Sequence, residues 1–238
     1  MPKLLASDIL LLGLAMIGDF AEEIFIGGGK AYKHGRLLTY FPPNYKKLNL
    51  AQNIYRQIKN RHLKEERGQI ALTTSGIDHL RKRFPLTQIE QESWNEKWCI
   101  VSFDVPEKHR HKRDSLRRRL EIIGFAQLHK SIYISPHPFG NKVNSYIKDI
   151  GLEQYCFTIV GKQKHLKLNT DKIQKLWNLS IIAKQYNQIL KSSKRSKHSI
   201  IRDYLAIAIK DPHLPFSLLP SNWPAETVKQ KIKSISHS

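Results

Sequence analysis

Cysteine is nearly absent from this 238-residue chain, which has only Cys99 and Cys156. Two widely spaced thiols make neither a zinc site nor a disulfide framework. Each lies in an apolar, strand-like run, as expected of buried, reduced thiols in a cytoplasmic protein. Carboxylates are also scarce: 20 Asp+Glu stand against 40 Lys+Arg, a formal charge of +20. Long apolar runs are missing. The best, ILLLGLAMIG (9–18), is too short to span a bilayer, and Asp8, Asp19, Glu22 and Glu23 flank it. It also lacks a small-residue cleavage site, so a buried first helix is expected, with neither a signal peptide nor membrane attachment. GGGK (27–30) lacks the Gly-Lys-Ser/Thr ending of a phosphate loop and reads as a turn. No internal repeat and no long disordered tract is present.

What the chain has in excess is positive charge. A charge of this size attracts polyanions and raises encounter rates with them. Nucleic acid is the first expected partner, ahead of an anionic membrane surface or an RNA assembly.

Three stretches follow one another. In residues 1–86, Ser7 and Asp8 open the first helix. After the FPP break, LNLAQNIYRQIKNRHL reads as a second helix, with Leu50, Ile54, Ile58 and Leu63 on an apolar face. Then come a strand, a turn at Gly68, a second strand and a helix starting near Thr74. Helix, helix, two-stranded wing and closing helix is the order of a winged helix-turn-helix, whose second helix enters the major groove of double-stranded DNA. Arg56, Lys59, Asn60 and Arg61 lie off the apolar face, and Arg67 sits at the wing turn. These residue types contact phosphates and base edges.

Residues 87–97, TQIEQESWNEK, are polar and mixed and make a short junction. Residues 94–165 run strand (WCIVSF), helix (106–124), strand or bent hairpin (FAQLHKSIYIS), helix (139–151) and strand (155–161). This order fits a ferredoxin-like sandwich, helices on one face of an antiparallel sheet and the other face free to pair with a second copy. Pro106 fits the first turn of its helix, and Gly124 stops it. Residues 166–238 read as a helical domain, with one helix over 172–190, another over 200–209 and a last from about 224. Four prolines between 212 and 224 fix an extended path before that last helix. Trp177, Tyr186, Tyr204 and Trp223 are candidates for a pocket lining, with core packing as the plainer alternative. The expected fold is therefore α+β: an N-terminal winged helix-turn-helix, a central ferredoxin-like domain and a C-terminal helical domain.

Asp104, in SFDVPEKHR, ends the first central strand just before a basic helix. Between 108 and 119 that helix holds seven Lys/Arg and two His. Arg110, Arg113 and Arg117 are its candidate phosphate contacts. Asp104 has two readings. It is either a turn residue accepting backbone N–H bonds or a Mg²⁺ ligand in a nuclease. In the second, Glu107 and Asp114 are the nearest further carboxylates, and His109 and His111 are acid–base candidates. The surrounding cations oppose Mg²⁺ binding unless nucleic acid or a second chain adds negative charge. Glu107 has an alternative use at the helix N-terminus.

Three segments carry a family resemblance. WCIVSFDVPEKHRHKRDSLRRRLEIIGFAQLHKSIYISP resembles the centre of the PaaX-type transcriptional regulators, named for repression of phenylacetate catabolism. LWNLSIIAKQY and DPHLPFSLLPSNWP resemble their helical Trp…Tyr segment and C-terminal Asp-Pro…Trp-Pro signature. The resemblance implies a dimeric DNA-binding repressor that needs no cofactor to bind DNA and responds to an acyl-CoA effector. The centre also resembles the small ferredoxin-fold nuclease subunit of CRISPR adaptation. There an aspartate at the position of Asp104 is a metal ligand at a dimer interface, which implies a Mg²⁺-dependent endonuclease as the alternative. A non-enzymatic scaffold in a nucleoprotein complex is a third reading.

Overall fold

A computed structural model describes residues 7, 10, 11, 47–66, 69–84, 86, 94–162, 168–191, 195–208 and 210–236. Of the expected first helix, Ser7, Leu10 and Leu11 are described; all three are helical, and both leucines are buried. GGGK lies outside the described residues. Contacts divide the chain into two units. One holds Phe84–Ser180 and Pro212–Asn222. The other holds Leu4–Arg83, Ile181–Asp211 and Trp223–Ser238. The C-terminal third is thus shared between the units rather than grouped as one stretch.

The first unit is built on a four-stranded antiparallel sheet. Its elements are β3 (Lys97–Phe103), α3 (Arg110–Ile122), β4 (Ala126–His129), β5 (Ile132–Ser135), α4 (Gly140–Asp149) and β6 (Cys156–Lys162). The strand order β4-β5-β3-β6 is the split βαβ arrangement of a ferredoxin-like sandwich. FAQLHKSIYIS is a hairpin, with a bulge between Gln127 and His129.

Alternation along β3 explains the layers. Cys99, Val101 and Phe103 join Leu116 and Leu120 of α3 and Val143 and Ile147 of α4 in one core. Each side chain so buried contributes about 1.5–3 kcal/mol. Burial also pushes the Cys99 and Cys156 thiols up to about 11, so both stay protonated. The opposite face is only partly covered. There Trp98 packs against Trp94 and Trp177, with ring centroids 5.0 and 6.1 Å away. Further along, Ile100 pairs with Ile159 and Ser102 with Phe157, and both β6 partners are exposed.

Two helices differ from expectation. The helix expected from Pro106 begins as a 3-10 turn at Glu107–His109, and α3 proper starts at Arg110. The helix expected over 172–190 is two, α5 (Thr170–Leu176) and α6 (Leu179–Lys191). Asn178 breaks it with φ 52, a left-handed conformation that Asn tolerates. Trp177 anchors the break by donating its Nε1–H to the Gly124 carbonyl (3.0 Å). Gly124 is itself at φ 86, the left-handed stop expected after α3.

In the second unit, α1 (Lys47–Lys59) is followed by an antiparallel hairpin, β1 (Leu63–Glu66) with β2 (Gln69–Leu72), and by α2 (Thr74–Arg83). The unit also holds α6, α7 (Lys197–Ala208) and α8 (Ala225–Ser236), whose core includes Ile182, Tyr186, Ile201, Leu205, Val228 and Ile232. Trp177, Tyr186 and Tyr204 are buried, and Trp223 packs edge-on against Tyr186 at 6.1 Å. The Tyr186 hydroxyl donates to Asp211 (3.0 Å). Burial first, and that carboxylate second, push the phenol far above its usual range. These aromatics are core. No helix among the described residues is long and apolar enough to cross a membrane.

Candidate nucleic-acid interface

The α1 sequence buries one side and exposes the other. Ile54 and Gln57 are buried, and Ile58 is half-buried. Gln52, Tyr55, Arg56 and Lys59 are exposed. At 3.6 residues per turn these four fall within an arc of about 100°. Among the described residues, no acidic side chain pairs with Arg56 or Lys59. Asn60 and Arg61 are exposed too, but they lie in the turn after α1 rather than on it. Arg67 lies outside the described residues.

The exit from α1 is a Schellman turn. Arg61 N–H donates to Ile58 O (2.9 Å), and His62 N–H donates to Gln57 O (2.9 Å). Arg61 holds φ 60, where glycine is usual. His62 Nδ1–H donates to Gln57 Oε1 (2.7 Å), which satisfies a buried amide. The other face of His62 stacks on His79 of α2 at 4.2 Å. Thr73 closes the hairpin onto this turn. Its N–H donates to His62 O (3.0 Å), and its hydroxyl donates to Arg61 O (2.5 Å). The same hydroxyl caps α2 by accepting from Gly76 N–H (3.0 Å). Gly76 is there because nothing larger fits: a Cβ would sit 2.1 Å from His62 O. The wing hairpin and both helices are thus fixed at one junction. The roles of Thr73 and Gly76 are not legible in sequence, because the contact lies between turns 12 residues apart.

The basic helix of the central unit is arranged differently. Arg113 donates to Glu107 Oε2 (3.0 Å) and to Val105 O (3.3 Å), and its side chain is only 20% exposed. Arg117 pairs with Asp114 (3.5 Å), approaches Lys130 O (3.4 Å) and lies 5.8 Å over the Phe103 ring. Arg110 pairs with Glu107 (3.6 Å) and Asp114 (3.8 Å) while 70% exposed. Such exposed pairs contribute about 0–1 kcal/mol each. Their consequence here is that both carboxylates nearest Asp104 face guanidinium groups.

Asp104 is exposed at the end of β3. Its N–H donates to Tyr155 O (2.9 Å), and Phe103 N–H donates to Ser131 O (3.0 Å). No hydrogen bond to its carboxylate occurs among the described residues. The turn that Asp104 was expected to hold through its side chain is held instead by main-chain bonds and by Arg113. No group of three or more His, Cys, Asp or Glu placed to hold a metal occurs among the described residues. A divalent cation prefers about six oxygens, so Asp104 alone is a partial ligand set. His109 lies 5.9 Å from the Tyr155 ring; partial desolvation first, then Lys108, Lys112 and His111, lower its pKa.

A buried histidine also lies in this unit. His137 donates Nε2–H to Pro212 O (2.9 Å), and Ser135 Oγ accepts its backbone N–H (3.2 Å). Burial pulls its pKa down to about 4; the Pro212 bond opposes this and His213 adds to it.

The βαββαβ order, the β4-β5-β3-β6 sheet and the half-open outer face define a ferredoxin-like domain of the Cas2-like class. More specifically, residues 91–173 match the family described as PaaX protein central Cas2-like domain. In fold, the whole chain is similar to "Uncharacterized protein Rv0674 from Mycobacterium tuberculosis", with TM-score 0.59, 13% identity and 95% of each chain covered. No curated protein matches the chain.

Proposed function

We propose that this protein is a DNA-binding transcriptional regulator, a repressor that reads double-stranded DNA with α1 and the β1–β2 wing. The observation that carries it is the exposed stripe Gln52–Tyr55–Arg56–Lys59, set at a rigid junction with a hairpin, in a chain whose residues 91–173 match the PaaX central-domain family. Arg61 supports the reading. An L-residue in the left-handed region costs about 1–2 kcal/mol relative to glycine, and here the strained position places a guanidinium beside the stripe.

The regulator acts as a dimer through the outer face of the central sheet. Phe157 is 71% and Ile159 60% exposed on the edge strand. Patches of this kind mark interaction surfaces. The occupant is a second copy. Two chains each carrying +20 repel, so they meet best where neither presents charge, and Ile100, Phe157 and Ile159 form such a patch. A twofold pair also matches a palindromic operator. Phe157→Asp should convert the dimer to monomer in sedimentation equilibrium; an unchanged mass rejects this face.

Selection on random duplexes followed by footprinting tests the function. A short palindrome should be protected, with binding retained in EDTA, because no cofactor is required. Equal affinity for all duplexes leaves only the scaffold reading. Mg²⁺- or Mn²⁺-dependent cleavage that disappears in Asp104→Ala would move the conclusion to a nuclease whose metal is shared between two copies of Asp104. The acyl-CoA effector rests on the family resemblance alone, and loss of the footprint on adding phenylacetyl-CoA would support it.

A further inference from the structure

We infer that Tyr55 is a specificity-determining residue whose ring reads the C5 methyl of a thymine in the major groove. This rests on the DNA-reading role of α1 proposed above. Tyr55 is 71% exposed, on a helix whose other side buries Ile54 and Gln57. It shares its arc with Gln52, Arg56 and Lys59, all exposed. Those three are hydrogen-bonding groups. Gln suits adenine, Arg and Lys suit guanine, and the cations also suit phosphate. Beyond their aliphatic stems, none of them offers a broad apolar face for the C5 methyl, which with the O4 acceptor distinguishes thymine from cytosine at the groove edge. The Tyr55 ring is the one large apolar surface among those four side chains. An exposed ring of this size is available to cover an apolar group of a bound partner, and its burial there would be favourable. Along the helix axis Tyr55 lies between Gln52 and Lys59, about one turn from each, and around the axis it forms one edge of the arc with Arg56 at the other. It therefore enters the groove wherever those residues do.

The experiment measures the full-length protein by fluorescence anisotropy on the selected duplex, on an unrelated duplex, and on the selected duplex with each thymine in turn replaced by deoxyuracil, which lacks only the methyl. Tyr55→Ala should weaken binding to the selected duplex about tenfold while leaving the unrelated duplex unchanged. Tyr55→Phe should bind as the wild type does. One deoxyuracil position should weaken the wild type and have no further effect in Tyr55→Ala. The inference is overturned if Tyr55→Ala binds like the wild type, or if it loses equally on both duplexes. It is also overturned if Tyr55→Phe loses as much as Tyr55→Ala, which would assign the hydroxyl to a phosphate. A wild type that prefers its selected duplex while Tyr55→Ala has no effect defeats the inference alone. A wild type without preference defeats the proposed function as well. Unchanged thermal melting of both variants establishes that the fold is intact.

Discussion

Two basic helices in this molecule use similar side chains in different ways. On α3, Arg113 and Arg117 turn back on their own domain, onto Glu107, Asp114, two backbone carbonyls and the Phe103 ring. On α1, Arg56 and Lys59 are exposed and, among the described residues, pair with no carboxylate, and Arg61 follows in a strained turn. The difference lies in acidic residues at helical spacing. Glu107 lies three residues from Arg110 and six from Arg113, and Asp114 lies four from Arg110 and three from Arg117, while α1 has no Asp or Glu at all. A count of cations therefore does not single out a helix, whereas the positions of the scarce carboxylates separate the two, and the proposed function rests on that separation.

The strongest test of this contrast removes the support under α1. In Gly76→Ala the new Cβ meets the His62 oxygen at 2.1 Å, so α2 and the turn after α1 must separate. Overpacking against backbone costs about 3 kcal/mol here, at the upper end of such effects. Urea unfolding should register that loss, and duplex binding should fall with it. Binding at the wild-type level would mean that the junction does not hold α1 in place.

Acid should separate the two units next. His137 belongs to the central unit, and its folded pKa of about 4 lies below the usual 6.5. Between those values the unfolded chain binds more protons than the folded one, so stability falls as pH drops from 6.5 to 4. Above 6.5 both states are neutral at this site, and the effect is absent. The full span corresponds to about 3 kcal/mol. Trp94, Trp98 and Trp177 lie in this unit and Trp223 in the other, so tryptophan emission during urea titration in a Trp223→Phe background reports on it. His137→Gln should lose this pH dependence; a wild-type profile in the variant would place the acid sensitivity elsewhere.

Much of the fold could be read from the sequence, for identifiable reasons. Each central strand is a compact run bounded by a turn, and the glycines at 124 and 151 stop helices at positive φ, as expected. The wing followed from a helix, two short strands and a helix in order. What sequence did not show was decided by contacts across the chain. The break at Asn178 follows from Trp177 reaching Gly124, 53 residues away. The role of Arg113 follows from a carbonyl eight residues earlier. Tyr55 escaped notice because Arg and Lys define a DNA-facing stripe by charge, whereas an exposed aromatic is recognised only once burial is known.

The contrast between the helices is sharpened by paired alanine variants. Arg56→Ala should cost about 1–3 kcal/mol in duplex affinity, with melting unchanged. Arg113→Ala should cost about 1 kcal/mol of stability, from its bonds to Val105 O and Glu107, with little effect on affinity. The reverse pattern, in titrations read beside thermal melts, would make α3 the DNA-facing helix.

The smallest expected effect separates stability from function at one residue. Arg61 occupies a position that favours glycine, with φ 60 at the end of α1. Arg61→Gly removes the left-handed strain, while the unfolded chain gains some freedom that offsets part of the benefit. The net result should be a gain of about 0.5–1 kcal/mol in urea unfolding. The Thr73 bond to the carbonyl at 61 remains, because it is made to the backbone. If the guanidinium contacts phosphate, the same variant should bind DNA more weakly and release about one counterion fewer, so the salt dependence becomes shallower. A variant that is both more stable and an equally good DNA binder would show that Arg61 is not held in its strained turn for the sake of DNA. The reading surface would then end at Lys59, the last residue of α1.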